Sequence, residues 1–400
     1  FGSSVAGCSE VCVRSRCAMA RAVLAACWVT AVHAWEKLAQ PPWDAHTGSI
    51  AVTLPDDSML LIAGQKGEHG GALFDCFNCT NEVWHFEPEN DKWTNASADV
   101  PWDPRWGHSA VAVDDTVWML FGCCERGKPT EMLRDVWTWS SGGSWLKQET
   151  NPPFEGIQGS SVAVLGDEIW VVGGWSQYRG TLSLVAALST KTLEWRKISP
   201  HGAVAWKHRA DHCTAISPGG DWLFLHSGQH RDEKTGNWFR LKDTWRVALP
   251  AADASAWTQL GDLTAARSSP PVLVLPSGWL MALGGHYVGE DEHLTVNQTD
   301  VEGMNKHHAE TPFKAYNDVL ALDMKTGGKG GWRELDHNAV WPARDDCAAA
   351  VTKKGAVVIF GGGTVYGGGG YLQDVWKLSD PAKFYTIGGL GGAAAGGDEL

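Results

Sequence analysis

The sequence predicts an all-β chain: six four-stranded sheets set as the blades of a propeller and closed by the N-terminal strand. Three observations lead there. With 47 glycines, 23 tryptophans and only 20% charged residues in 400, the chain reads as folded, turn-rich and β-inclined rather than disordered. A hydrophobic strand ending in glycine recurs six times, at a spacing of roughly fifty residues, the period of a four-stranded repeat unit. The tryptophan-led strand that ends five of the units is absent after the sixth and stands instead at the N-terminal end of the repeat region.

Each unit starts with a strand of small apolar residues, such as "HSAVAV" (108–113), "SSVAVL" (160–165), "HCTAIS" (212–217) or "CAAAVT" (347–352). Its second strand is more hydrophobic and runs into glycine: "MLLIAG" to Gly64, "VWMLFG" to Gly122, "IWVVGG" to Gly174, "WLFLHSG" to Gly228, "WLMALGG" to Gly285 and "AVVIFGG" to Gly362. An Asp-Val-Trp strand follows, as at Asp135 and Asp374, replaced in the third unit by "SLVAAL". The outer strand opens on Trp93, Trp145, Trp195, Trp257 or Trp332. For the sixth unit that strand is "WEKL", Trp35 to Leu38, which completes the last sheet and removes an open edge. A single four-stranded sheet cannot bury both faces, so the units pack on one another around an axis.

The glycine pairs, the later tryptophans and "PRWGHSAVAV" (104–113) together resemble the kelch family over about residues 35–380. The resemblance implies a six-bladed kelch-type β-propeller, with the third blade degenerate and the fifth enlarged.

The domain reading follows: residues 1–34 upstream, 35–384 the propeller, 385–400 a flexible Gly/Ala tail. The chain opens on Phe1, and its first methionine, Met19, begins a stretch with Arg21, an apolar run over Ala22–Val32 and the small-residue pattern ending at Ala34. That is the pattern of a secretory signal peptide cleaved before Trp35. A membrane anchor would need a longer run, and a bipartite organelle peptide would use Arg14 and Arg16. Sequons at Asn78, Asn95 and Asn297 suit the same compartment, extracellular or ER-lumenal, and the "DEL" ending resembles an ER-retrieval signal with Gly397 in place of the usual basic residue. No other segment is long enough to span a membrane. A net charge of -13 argues against a nucleic-acid partner, since phosphate binding draws its affinity from a basic surface.

In an antiparallel meander, the loops entering each blade and those following each glycine pair share one face. The entering loops carry Arg105, Arg209, Arg267 and Arg344, with His108 and His212 close by. Two readings stand: the guanidiniums hold an anionic ligand by forked hydrogen bonds, or they pair with Asp135, Asp243, Asp318 and Asp374. The fifth post-glycine loop (286–317) is long and holds His286, Glu290, Asp291, Glu292, His293, His307 and His308, whose spacing singles out no metal site; a mobile, solvated loop is the expectation. Cys76 and Cys79, with Cys123 and Cys124 in the neighbouring unit, suggest two disulfides, with a zinc site or free thiols as alternatives. Cys213 and Cys347 read as buried small apolar residues.

A fold does not fix a function. No copper-oxidase ligand set, no E-x-x-x-D-x-x-x-H iron motif, no phosphate loop and no nucleophile elbow is present, and no cofactor is implied. The leading expectation is a secretory-pathway binding module that takes a protein, glycoprotein or anionic ligand through one loop face. The alternative is an acidic-sugar epimerase resembling the six-bladed sialate mutarotases, for which no catalytic acid is identifiable.

Overall fold

The computed structural model describes residues 35–66, 78–98, 100–125, 128–199, 201–232, 234, 236, 238–249, 256–288, 313–364 and 370–381. The proposed leader, the tail and most of the fifth post-glycine loop lie outside them. Among the described residues there is no α-helix, and no helix long and apolar enough to cross a membrane.

Six antiparallel blades follow in chain order. Their inner strands are Ile50–Thr53, Ser109–Val113, Ser161–Leu165, Cys213–Ile216, Val272–Val274 and Ala348–Val351. Each pairs with a second strand, which pairs with a third, which pairs with an outer strand; in blade 2 these are Thr116–Leu120, Val136–Ser140 and Leu146–Gln148. The middle strands are buried on both sides because blades stack face to face, which is why they read as continuous hydrophobic runs. A hydrophobic cluster lies between every pair of neighbouring blades.

The sixth blade is completed from the other end of the repeat region. Trp35–Lys37 pairs antiparallel with Val375–Leu378, Trp35 opposite Leu378 and Lys37 opposite Trp376, and the Leu38 amide donates to the Val375 carbonyl at 2.9 Å. This is the closure that the missing tryptophan strand implied.

A second device links the blades around the axis. The glycine ending each second strand donates its N–H to a carbonyl in the loop entering the next blade: Gly64 to Arg105, Gly122 to Ile157, Gly174 to Arg209, Gly228 to Arg267, Gly285 to Arg344 and Gly362 to His46, all at 2.8–3.0 Å. These six glycines have φ between 92° and 111°, and a Cβ at Gly362 would lie 2.6 Å from the Asp345 carbonyl oxygen. Backbone approach, more than the turn, makes glycine necessary there.

The segments after the glycines are more ordered than plain loops. In blades 2 to 5 they form two-stranded ribbons, Cys123–Glu125 with Lys128–Met132, Trp175–Ser176 with Gly180–Thr181, Gln229–Arg231 with Trp238–Arg240, and His286–Val288 with Phe313–Ala315. In blade 1 the second strand, Met59–Lys66, simply runs on to pair with His46–Thr47.

Candidate functional site

The four arginines are turned into the sheets. Arg105 is fully buried; its Nη1 and Nη2 meet the Asp135 carboxylate at 2.8 and 2.9 Å, Nη1 also reaches the Phe121 carbonyl at 2.9 Å, and Nε reaches the Asp103 carbonyl at 3.1 Å. The pattern repeats in Arg209 with Asp243, Arg267 with Asp318, and Arg344 with Asp374, each arginine also capping a main-chain oxygen at the end of its second strand. The "Asp-Val-Trp" signature now has a cause: the indole N–H of Trp137, Trp245 or Trp376 donates to the same aspartate at 2.6–2.8 Å. Burial opposes ionisation of Asp135, Asp243 and Asp374, but the hydrogen bonds and charge of the paired arginine outweigh it and hold all three below the usual carboxylate range.

Blades 1 and 3 use other solutions at these positions. Where blades 2, 4 and 6 carry arginine, aspartate and tryptophan, blade 3 has Ile157, Leu184 and Ala186, all buried in one apolar cluster. Blade 1 has His46, Glu82 and Trp84; Trp84 Nε1 donates to Glu82 at 3.1 Å, and His46 Nε2 lies 3.8 Å from the same carboxylate. Glu82 also pairs with Lys66.

His108 and His212 are buried behind the arginines rather than presented on the face. Burial, then the adjacent arginine, drives His108 down to about 3 and His212 well below its ordinary value; burial likewise takes His226 to about 3 and His46 to about 4. These histidines are neutral in the fold, so below an unfolded value of about 6.5 the unfolded chain binds protons the fold refuses, costing ~1.4 kcal/mol per pH unit per group. Two carboxyls act the other way. Burial raises Asp345, and burial with the Asp346 charge raises Asp211, each to about 7, so the fold gains stability from them as pH falls from there toward the ordinary carboxylate range. The expected result is a shallow fall in melting temperature between about pH 7.5 and 5.5, and a markedly steeper one in the Asp211→Asn/Asp345→Asn variant. Thermal scans at the two pH values check this; equal falls in parent and variant would refute the compensation.

Those two aspartates belong to three registers of side chains around the channel mouth. Two residues past each blade-entering arginine, or its counterpart, the chain turns through positive φ: Gly48, Gly107 and Gly159 in blades 1 to 3, but Asp211 (φ 50°), Ser269 (φ 53°) and Asp346 (φ 45°) in blades 4 to 6. Main-chain bonds join these turns around the axis, Gly159 to Gly107, Asp211 to Gly159, Ser269 to Asp211 and Gly48 to Asp346, at 2.8–2.9 Å. Just before each turn lie Thr47, Trp106, Gln158, Ala210, Ser268 and Asp345. Just after each glycine strand end lie Gln65, Cys123, Trp175, Gln229, His286 and Gly363, each paired in register with its counterpart.

The mouth is therefore two unlike halves. On blades 4 to 6, the Gln229 amide donates to Asp211, and the His286 Nδ1–H donates to Asp345 at 2.9 Å. His286 Nε2 lies 2.9 Å from Arg240 Nη2 and 2.8 Å from the Ser268 hydroxyl. Burial and Arg240 push His286 well below its ordinary value, so the contact with Asp345 is a hydrogen bond from a neutral imidazole. On blades 1 to 3 the turns are bare glycine, covered by the Trp106 ring over Gly48 and the Gln158 side chain over Gly107. This half-and-half pattern escaped sequence reasoning, although its signal was present as Gly, Gly, Gly, Asp, Ser, Asp in one register.

Of the cysteines, Cys79 begins the third strand of blade 1 and Cys123 the ribbon of blade 2; Cys76 and the side chain of Cys124, on which the two expected disulfides depend, lie outside the described residues. Cys347 is buried and its thiol pushed up to about 12 by burial. Cys213 is half-buried, with its thiol donating to the Pro270 carbonyl at 2.8 Å. Asn78 and Asn95 are exposed, and Asn297 lies outside the described residues. Among the described residues no group of three or more His, Cys, Asp or Glu side chains is arranged to hold a metal ion.

Comparison with known proteins agrees with this geometry. The Kelch motif matches residues 158–202, which hold all four strands of blade 3. The fold is that of a six-bladed, kelch-type β-propeller. The match falls on a blade without the Arg-Asp-Trp lock, so its strand pattern and glycine pair carry the likeness. Among relatives, the chain is 27% identical over 181 residues to Kelch-like protein 23 of Homo sapiens and of Pongo abelii, covering 44% of this chain and 29% of those proteins. It is 29% identical over 99 residues to the tRNA wybutosine-synthesizing protein 2/3/4 of Oryza sativa subsp. japonica, covering 24% of this chain and 9% of that protein. The chain thus spans less than a third of the length of the relatives it matches. Kelch propellers are in general protein-binding modules.

Proposed function

We propose that this kelch propeller is a secretory-pathway binding module that engages a protein or glycoprotein through the face carrying the blade-entering loops and the ribbons. The observation that carries the reading is the channel mouth: indole groups over bare glycine turns on one half, carboxyl, imidazole and guanidinium groups on the other, with Asp211 and Asp346 standing where glycine serves blades 1 to 3. The arginines Arg105, Arg209, Arg267 and Arg344 serve architecture in this reading, since their forks are filled by carboxylates. The Met19–Ala34 stretch and the sequons support the compartment.

An affinity capture from lumenal extract tests the proposal. Bound partners are expected to be lost when the tip of the blade 4 ribbon, residues 232–237, is replaced by a short glycine turn, and retained when Leu146 on the outer edge of blade 2 is changed to Ser. Retention in the first variant and loss in the second would overturn the choice of face. An acidic-sugar epimerase is the rival, favoured by Asp211 and Asp345, two carboxyls poised to accept or give a proton near neutrality beside Arg240. Accelerated interconversion of the α and β anomers of N-acetylneuraminate, lost in Asp211→Asn, would support the rival.

A further inference from the structure

The mouth has a property that binding of an unspecified surface does not require. Trp106 Nε1, Gln158 Oε1 and Trp175 Nε1 are buried polar atoms with no hydrogen-bond partner among the described residues, and all three lie on blades 2 and 3 around the bare glycine turns. Unpaired indole N–H groups also occur between the blades, at Trp102 and Trp206 for example; what sets these three apart is their place at the mouth, within reach of a polar ligand. The Trp106 and Trp175 side chains are only half-buried, so each offers ring area as well as a donor. Beside them, the Asp211 carboxyl lies over the Gly159 turn, and Asp211 and Asp346 themselves occupy left-handed turns that glycine would take with less strain.

We propose that the channel mouth is a carbohydrate subsite that takes an uncharged or amino-substituted pyranose, the terminal sugar of a glycan, stacked on Trp175 and Trp106 and hydrogen-bonded to Gln158, Asp211 and Asp346. A pyranose has the two characters the mouth divides between its halves: an apolar ring face for the indoles and a rim of hydroxyls for amide and carboxyl groups. Charge selects within the class. Among the described residues of the mouth, the Arg240 guanidinium contacts His286 through Nε and Nη2, while Asp211, Asp345 and Asp346 offer carboxyl oxygens, so hydroxyls and an ammonium meet acceptors where a sugar carboxylate meets further carboxyl groups. This inference rests on the proposed binding face and narrows it to a ligand.

The test uses the full chain and the methyl glycosides of mannose, glucose, galactose and glucosamine as probes, with glucuronate as the anionic counterpart, read by saturation-transfer NMR and tryptophan fluorescence. At least one uncharged or amino glycoside is expected to bind saturably, with glucuronate about tenfold weaker or worse. Trp175→Ala is expected to weaken binding by about tenfold or more; Gln158→Ala, which removes less packing, is the second variant should Trp175→Ala fail to fold. No saturable binding by any of the four glycosides, tighter binding of glucuronate, or unchanged binding in Gln158→Ala would each overturn the subsite. If sugars fail while capture of a partner still depends on the blade 4 ribbon, the carbohydrate inference falls and the binding-face reading stands; if capture is independent of that face, the broader reading falls.

Discussion

Replacing Arg344 by Ile is expected to destabilise the propeller by about 3–5 kcal/mol, the cost of leaving a buried charge without its partner. Asp374 is 6% exposed, and besides the Arg344 guanidinium it accepts a hydrogen bond from the indole of Trp376 at 2.8 Å. The same change removes the donors that satisfy the Gly361 and Pro342 carbonyls and the stacking over Trp341, whose ring centroid lies 5.7 Å from the guanidinium carbon. The chain itself supplies the control. Blade 3 carries Ile157 and Leu184 where blade 6 carries Arg344 and Asp374, so the apolar pair is compatible with this architecture when both members change together. Arg344→Ile with Asp374→Leu is therefore expected to recover more than half of the loss, though not all, because the two carbonyls stay uncapped. Denaturant unfolding of the two single variants and the double gives the coupling energy directly. A neutral Arg344→Ile would mean the guanidinium is not architectural and would return it to the pool of ligand groups.

The fold was legible because its determinants are local and repeated. A strand of Val, Ile, Leu and Trp ending in glycine, six times over, constrains both the sheet and the close approach of the next blade, and Trp35 could be placed because five other outer strands carry the same residue. The arginines were legible as a set, and so were the acids that meet them, but whether a guanidinium turns inward or toward the channel is a matter of tertiary packing that spacing does not encode. The ribbons were missed because their residues, such as "QHR" and "WFR" in blade 4, are too short and too polar to show a strand period. The channel mouth was missed for a different reason. Arg209 and Arg344 are the conspicuous residues of their loops, while the informative ones stand two places on, where Asp211 and Asp346 occupy the turn that glycine fills at Gly107 and Gly159. Such a departure is visible only after the units are superposed turn by turn, and the strain it implies is visible only in φ.

Deleting residues 35–38 is expected to have the largest effect of all, because it opens the ring. Trp35, 7% exposed, sits in the cluster shared by blades 5 and 6, edge-on to Trp341 at 6.0 Å, with Leu273, Met281, Ile359 and Leu378 around it. Truncating a buried tryptophan alone costs about 3–5 kcal/mol. The deletion also strips the hydrogen bonds from Val375–Leu378 and leaves an apolar edge strand exposed, a template for pairing with another chain. Loss of the cooperative transition with concentration-dependent aggregation is the expected outcome, read by calorimetry and light scattering. The reverse manipulation separates closure from mere core loss. Glu36 and Lys377 lie directly opposite across the seam, at a spacing that antiparallel partners share with disulfides. Glu36→Cys with Lys377→Cys, oxidised, ties two segments more than three hundred residues apart and is expected to add up to about 4–5 kcal/mol, abolished by reduction. If the seam were not where the ring opens, the crosslink would raise the melting temperature no more than the reduced form, and trimming Trp35–Leu38 would cost no more than trimming any exposed strand end.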